Sequence, residues 1–341
     1  MTRLGSSIIE SQRAGIFVIQ PANRDISLLC AMRILFADTA HPSLKESLEN
    51  AGHLCFYDEN LNRELALQIM HEYDGVVIRS RFKFDVEMLN AASNLKFIAR
   101  VGAGMENIDV KYAQSKGIAC LNAPEGNRNA VAEQALGMLL NMMNNIQRAN
   151  EEVRQGSWIR EGNRGYELDG KTVGIIGLGN TGNAFAKKLR GFDVQILAYD
   201  PFVSNSDNEK VELVDMNELF EYCDVVSLHI PLSDSTRNLV NTEWLSKFKK
   251  PIWILNTSRG KCLNTSDLLD AIDAGKVLGA GLDVLEFETL SFEHMVAAPM
   301  VIQRLMANLN VLLTPHIAGW TYESNRKMAE VLFSKIQNQV S

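Results

Sequence analysis

The chain is poor in the residues that mark several protein classes. It has five cysteines in 341 residues, scattered at positions 30, 55, 120, 223 and 262. The number is odd and no C-x-x-C pair occurs, which argues against a disulfide framework and for reduced thiols in a cytoplasmic protein. The six histidines are dispersed, with no H-x-x-x-H arrangement, so no metal site is expected. Positive charge is in deficit: 34 Lys plus Arg against 41 Asp plus Glu leave a net charge of −7. No basic stripe stands out, so nucleic acid is not an expected partner. No apolar run approaches the length of a membrane span, and no internal repeat or low-complexity stretch is evident. A hydrophobic content of 46% with 22% charged residues is ordinary for a globular chain, and the length suits two domains better than one.

What the chain does have is alternation. Strand-like apolar runs fall at 33–37, 54–57, 75–78, 97–101 and 118–121. Helical patterns separate them at 43–51, 61–73, 85–92 and 110–116. Strands alternating with helices over short loops imply a parallel sheet covered by helices. The stretch "NAPEGN", 122–127, combines Pro and Gly and reads as a linker. A long helix should follow, with Val131, Ala135, Met138 and Met142 on one stripe, then a polar loop over 156–165. A second alternating series has strands at 172–176, 194–199, 225–228, 252–255, 278–282 and 311–313. The last helix, from Thr321, has no strand after it and is expected to pack back on the first domain. Two doubly wound parallel sheets are therefore expected. Residues 1–31 hold short apolar pieces, "IFVIQ" and "ISLLCAM", split by Pro21, Asn23, Arg24 and Asp25. They are expected to form a disordered extension, or to reflect an upstream start, with Met32 opening the first strand.

One segment carries a cofactor signal. In "VGIIGLGNTGNAFAKKLRGFDVQILAYD" an apolar strand runs into Gly177, Gly179 and Gly182 in the G-x-G-x-x-G pattern. A helix and a second strand ending at Asp200 follow. Gly177 suits the tight turn, Gly179 lets a pyrophosphate approach the backbone, and Gly182 lets the helix pack on the strand. The free N–H groups at the helix start, around Asn180 and Thr181, suit a diphosphate. Asp200 can accept hydrogen bonds from both ribose hydroxyls of NAD and would repel the 2′-phosphate of NADP, so NAD is the expected cofactor.

Three further strand ends carry reactive groups. "NTSRG" puts Thr257 and Arg259 at the carboxyl edge of a strand, where ligands bind in doubly wound sheets, and an arginine there can hold a carboxylate bidentately. "GLDVLEFET" offers Asp283, Glu286 and Glu288. "LLTPHIAGW" places His316 after a strand. Together they fit carbonyl chemistry: the arginine orients the substrate, the histidine exchanges the hydroxyl proton, and a carboxylate fixes the imidazole. His229 and Pro231 in "SLHIPL" end another strand and are assigned to packing or cofactor contact.

The motifs "RSRFKFD", "ARVGAGMENID", "NAPEGNRNAVAEQALG", "GKTVGIIGLGNTG", "SLHIPL", "NTSRG", "AGLDV" and "TPHIAGWTYES" resemble the D-isomer-specific 2-hydroxyacid dehydrogenase family, in the family's order from Met32 onward. Within it the likeness is nearest to the phosphoglycerate dehydrogenase branch, in a short form. The resemblance implies a flavodoxin-like substrate domain, 32–124 plus 319–341, and a Rossmann NAD domain, 125–318, with a cleft between them. It implies a cytoplasmic homodimer and hydride transfer between nicotinamide C4 and C2 of a small anionic substrate. By motif position Arg259 matches the substrate-binding arginine, His316 the acid/base, and Glu288, rather than Glu286, its partner. Asp283 matches the family aspartate of the same motif. Thr289 stands where a proline is usual, 290–308 is longer than typical, and the chain stops after the final helix, so no regulatory domain is expected.

The remaining expectations concern the substrate. Arg79, Ser80 and Arg81 should emerge from the end of strand 75–78. Arg100 leaves the next strand, before Val101, Gly102, Ala103 and Gly104, whose amides could hold a carboxylate. A second cationic cluster opposite Arg259 implies a second anion, most simply a phosphate. D-3-phosphoglycerate/3-phosphohydroxypyruvate, a serine-biosynthesis pair, is the expected substrate. The alternatives are reduction of glyoxylate, hydroxypyruvate or another 2-keto acid, and a non-catalytic NAD-responsive binding protein.

Overall fold

The computed structural model describes residues 31–58, 60–206, 208–288 and 299–340. The expectations for residues 1–30, for Thr289 and for 290–298 lie outside the described residues. From Met32 on, the chain forms one compact unit containing two parallel sheets.

The first sheet comprises β1 (Arg33–Phe36), β2 (Leu54–Tyr57), β3 (Gly75–Ile78), β4 (Phe97–Arg100) and β5 (Ala119–Asn122), interleaved with α1 (Pro42–Asn50), α2 (Arg63–Ile69), α3 (Val86–Ala91) and α4 (Val110–Ser115). Its order is β2-β1-β3-β4-β5, with every neighbouring pair parallel, the flavodoxin-like order of doubly wound folds. Two helices follow, α5 (Pro124–Met143) and α6 (Ile146–Arg154). The second sheet comprises β6 (Thr172–Ile176), β7 (Gln195–Tyr199), β8 (Val211–Leu213), β9 (Val225–Leu228), β10 (Ile252–Asn256), β11 (Val277–Leu282) and β12 (Val311–Leu313). Between its strands lie α7 (Asn180–Leu189), α8 (Met216–Tyr222), α9 (Thr242–Ser246), α10 (Thr265–Asp273) and α11 (Pro299–Ala307). The order β12-β11-β10-β9-β6-β7-β8 is the dinucleotide-binding arrangement with one strand added, and its winding reverses between β6 and β9.

Strands covered on both faces need apolar side chains in both directions. Accordingly β3 (GVVI), β6 (TVGII), β9 (VVSL) and β10 (IWILN) are buried along their whole lengths. The last helix, α12 (Tyr322–Val340), returns to the first sheet. Its Met328, Ala329, Leu332 and Ile336 share a core with Ile34, Phe36, Val77, Phe97 and Ala99.

Several readings of the sequence need correction. "NAPEGN" is not a linker: Asn122 ends β5 and Pro124 opens α5. A proline costs nothing at the first helical position, whose N–H has no partner in the helix. Gly126 is there because α12 passes so close that a Cβ would sit 2.6 Å from the Met328 nitrogen. The long helix stops where Asn145 turns left-handed, at φ 53°, and α6 starts anew. β8 is a three-residue edge strand behind a polar stretch, too short for an alternation signal.

Leu332 is fully buried in the core that α12 shares with the first sheet. Leu332→Ala is expected to cost about 2–5 kcal/mol of stability, the range for a cavity left by a buried leucine, read from the shift of the urea midpoint.

Candidate active site

The carboxyl ends of β3, β4, β6, β9, β10, β11 and β12 open on one cavity of about 1550 Å³. Its walls include Arg79, Ser80, Arg100, Val101, Gly102, Ala103 and Gly104 from the first sheet's edge, and Asn180, Thr181, His229, Pro231, Thr257, Arg259, Asp283 and His316 from the second. Buried polar side-chain atoms are normally paired. Among the described residues, six buried side-chain polar atoms lack a hydrogen-bond partner; two of them, Arg63 Nη1 and Trp244 Nε1, lie elsewhere, and the other four are Arg100 Nε, Asn127 Oδ1, His229 Nδ1 and Thr257 Oγ1. All four belong to residues lining this cavity, which marks it as built for a polar ligand.

The β6–α7 turn fits a dinucleotide. Gly177 has φ +91°, and a Cβ there would lie 2.6 Å from the His229 carbonyl oxygen. A Cβ on Gly182 would lie 2.0 Å from the Gly177 carbonyl oxygen, so the helix packs on its strand only with glycine here. Gly179 meets nothing within 4 Å, leaving the helix start open to a diphosphate. Asp200 closes the turn: Oδ2 accepts from the Leu178 N–H at 2.8 Å and Oδ1 from the Phe202 N–H at 2.9 Å. Its carboxylate is thereby fixed at the end of β7, where a ribose would lie. His229 is buried, and burial pushes its pKa down to about 3. The ring is therefore neutral, its Nε2 lies 2.9 Å from Ser227 Oγ, and it packs beside Phe185.

The histidine loop is held from below by Asp283. Asp283 Oδ1 accepts from the Thr314 hydroxyl at 2.6 Å, the Ile317 N–H at 2.9 Å and the Gln134 side-chain amide at 3.2 Å. Oδ2 accepts from the Ala318 N–H at 2.9 Å. Burial raises the Asp283 pKa, and these donors oppose the shift. His316 itself sits at φ 55°, a backbone region that costs free energy for a residue with a Cβ and that gathers at functional sites. His316 Nδ1 lies 2.7 Å from Glu288 Oε2, and Glu288 Oε1 accepts from the Leu285 N–H. Glu286 is used elsewhere: its Oε1 accepts from the Thr265 N–H at 2.8 Å, at the start of α10.

Arg259 points across the cavity. Its Nη1 donates to the Ser258 carbonyl at 2.7 Å and its Nε to Glu106 Oε1 at 2.5 Å. Arg79 stacks on Trp320, with its guanidinium carbon 4.0 Å from the ring centre. The Asp38 carboxylate gathers the N–H groups of Arg79, Ser80 and Arg81 at 2.9–3.2 Å. Arg100 is pushed down to about 10 by burial, with Glu106 opposing the shift and Arg259 and Arg79 adding to it; it is still a cation at neutral pH. Arg81 departs from expectation. It turns toward Asp38, at 3.9 Å, and the Asp58 carbonyl, at 3.5 Å, and is not a cavity residue.

Glu106, Asn127 and Trp320 join the cavity without having been picked out in the sequence. Glu106 and Trp320 lie inside motifs whose neighbours were read, but their partners Arg259 and Arg79 lie far off in sequence and leave no local signal.

Residues 136–318 match the D-isomer specific 2-hydroxyacid dehydrogenase NAD-binding domain. The chain is 38% identical to the hydroxypyruvate reductase of Thermotoga maritima over 89% of its length and 97% of that protein. It is 35% identical to the D-3-phosphoglycerate dehydrogenase of Archaeoglobus fulgidus over 90% of its length, but spans 57% of that longer protein. Among solved structures, a glyoxylate reductase from Paecilomyes thermophila superposes with a TM-score of 0.79 at 27% identity, covering 91% of this chain and 96% of that one. The chain belongs to the D-isomer-specific 2-hydroxyacid dehydrogenase family. It is an NAD-dependent oxidoreductase acting on a D-2-hydroxy acid or its keto form.

Proposed function

We propose that the preferred substrate carries a second anion, as 3-phosphohydroxypyruvate does. The observation that supports this most is the cationic edge opposite Arg259, where Arg79 on its Trp320 platform and buried Arg100 line the same cavity. In this reading Arg259 and the amides of Gly102, Ala103 and Gly104 hold the substrate carboxylate, while Arg79 and Arg100 face the phosphate. When bound at the β6–α7 turn, the cofactor would supply the hydride as NADH in reduction and take it as NAD+ in oxidation. His316 gives a proton to the carbonyl oxygen during reduction and removes it during oxidation. Because Nδ1 is engaged by Glu288, the proton is exchanged at Nε2. The carboxylate sets the ring's orientation, and the Asp283 clamp sets the height of the loop. The division into 32–124 with 319–341 and 125–318 goes with this reading, each part carrying one wall of the cleft. A cytoplasmic location also goes with it; the described cysteines are all free.

A second reading, reduction of hydroxypyruvate or glyoxylate with one anionic group, is favoured by one specific finding. The likeness to the Thermotoga hydroxypyruvate reductase runs over nearly the whole of both chains. The two readings separate on Arg79. Arg79→Ala is expected to raise the KM for phosphohydroxypyruvate by the equivalent of about 2–4 kcal/mol, as for truncating one partner of a charge pair. The KM for hydroxypyruvate should barely change. An equal loss on both substrates puts the simple keto-acid reading ahead.

The proton-transfer assignment has its own test. His316→Ala is expected to lower turnover about 100- to 10,000-fold, Glu288→Gln to lower it substantially, and Glu286→Gln to leave it near that of the parent enzyme. Steady-state NADH oxidation reads all three. Loss in Glu286→Gln with none in Glu288→Gln would reverse the assignment.

We also propose a homodimer. Ile146, Val153, Trp158, Ile159 and Tyr166 are exposed apolar side chains along one stretch of chain, with Trp158 80% exposed. A run of that kind marks an association surface. Sedimentation equilibrium should give twice the chain mass, and Trp158→Asp should shift it toward the monomer; a monomeric parent enzyme would exclude this.

A further inference from the structure

Arg259 and Glu106 form an ion pair that links the edges of the two sheets. Glu106 lies in the loop after β4, 153 positions from its partner, and both side chains are largely buried. Arg259 holds the Glu106 carboxyl below the usual carboxylate range even though burial works to raise it, so the pair is ionic at neutral pH. Gly104 lies against both partners. A Cβ there would stand 2.1 Å from Arg259 Nη2 and 2.1 Å from Glu106 Oε2, so the absent side chain is what lets the pair close.

The Glu106 loop is also tied to the anion-facing loop. Next to it, the buried side chain of Asn107 donates to the carbonyls of Arg79, at 3.0 Å, and Phe82, at 3.4 Å. The Phe84 N–H donates to the Asn107 carbonyl at 2.7 Å, and the Asp109 N–H to the Phe84 carbonyl at 2.9 Å. Arg79, Asn107 and Glu106 are therefore one braced segment of the first sheet's edge, and its only ionic reach toward the second sheet among these contacts is to Arg259.

We propose that Glu106 is a positioning residue for Arg259. By taking Nε, while Ser258 takes Nη1, its carboxylate fixes the plane of the guanidinium, with Nη2 beside Gly104. The guanidinium's donors lie in one plane, so its orientation decides which of them meets the substrate carboxylate, and a misplacement of about 1 Å can cost about 100-fold in rate. The opposite role, a resident carboxylate that competes with the substrate's, predicts the reverse kinetics, so the two are separable. The proposal rests on the reading that Arg259 holds the substrate carboxylate.

The test uses full-length enzyme with NADH and hydroxypyruvate. Glu106→Gln should raise the KM about 10- to 100-fold, as for weakening a hydrogen bond to a charged group, with kcat falling less than KM rises and the Kd for NADH, from fluorescence titration, unchanged. Gly104→Ala, which keeps Glu106 but pushes a methyl between the partners, should move KM in the same direction. Glu106→Asp should fall between parent and Glu106→Gln. An unchanged or lowered KM in Glu106→Gln, with parental NADH binding showing an intact fold, overturns the proposal. Arg259→Lys separates the two levels of inference. A raised KM there with none in Glu106→Gln removes the positioning role alone. No effect of Arg259→Lys removes the carboxylate reading and the proposal with it.

Discussion

The buried carboxylate of Asp283 is the constraint on which the rest of the site depends. At 1% exposure it has lost its water, and a carboxylate in that position costs several kcal/mol unless donors replace the solvent. Here the replacements come from four places: α5 through Gln134, the end of β12 through Thr314, and the amides of Ile317 and Ala318. Satisfying the acid draws those groups inward and turns the chain between them back on itself. The residue at that reversal is His316, whose own N–H is held by the Asp283 carbonyl at 2.8 Å. Its positive φ is thus imposed by an acid that does not itself touch the imidazole. Electrostatic need at one buried atom pair becomes the position of the ring several ångströms away.

The second constraint is topological. Parallel strands connected by right-handed crossovers bring all their carboxyl ends to one edge. Two such sheets joined by α5 and by the return of α12 set their edges to one cavity. Arg259, Asp283 and His316 then meet although they are far apart in sequence, because each follows a strand of the same sheet. Arg79, Arg100 and Glu106 face them because each follows a strand of the other. The glycines matter only where chains come into close approach. Gly126 admits α12, Gly182 admits α7, and Gly104 admits an ion pair.

Much of this could be read from the residues, and the reason is physical. Strands covered on both faces must be continuous apolar runs, so "GVVI", "TVGII" and "VVSL" announce themselves, and polar residues straight after such runs fall at the ligand-binding edge. That logic finds Arg259, His316 and the glycine turn, and offers Asp283, Glu286 and Glu288 together; the choice of Glu288 comes from the family resemblance. It fails where local composition and tertiary use diverge. Pro124 and Gly126 look like a linker but serve a helix start and a close contact. Arg81 looks equivalent to Arg79, yet side chains alternate about the chain, and Asp38 and the Asp58 carbonyl take it. Glu106 and Trp320 are ordinary residues until the second sheet or the returning segment before α12 is placed against them, and no window of sequence contains both partners of either pair.

Charge distribution across the cavity gives the last step. Arg79, Arg100 and Arg259 are three cations around one space, and Asp38 and Glu106 are the anions set against them. Asp38 spends its carboxylate on backbone N–H groups below Arg79, which fixes the loop while neutralising little of the charge facing the cavity. Glu106 is committed to Arg259. Arg100 is a buried cation whose Nε lacks a partner, with Glu106 and Asp38 as opposite charges and Arg259 and Arg79 as like charges around it. Burying a charge is costly unless it is paired and hydrogen-bonded, and the Glu106 and Asp38 carboxylates are the opposite charges set near this one. In the proposed reading, a substrate's second anionic group would meet Arg79 and Arg100, while a singly charged substrate would be held at Arg259 alone. On that reading the cleft would discriminate between anions by their number of charges.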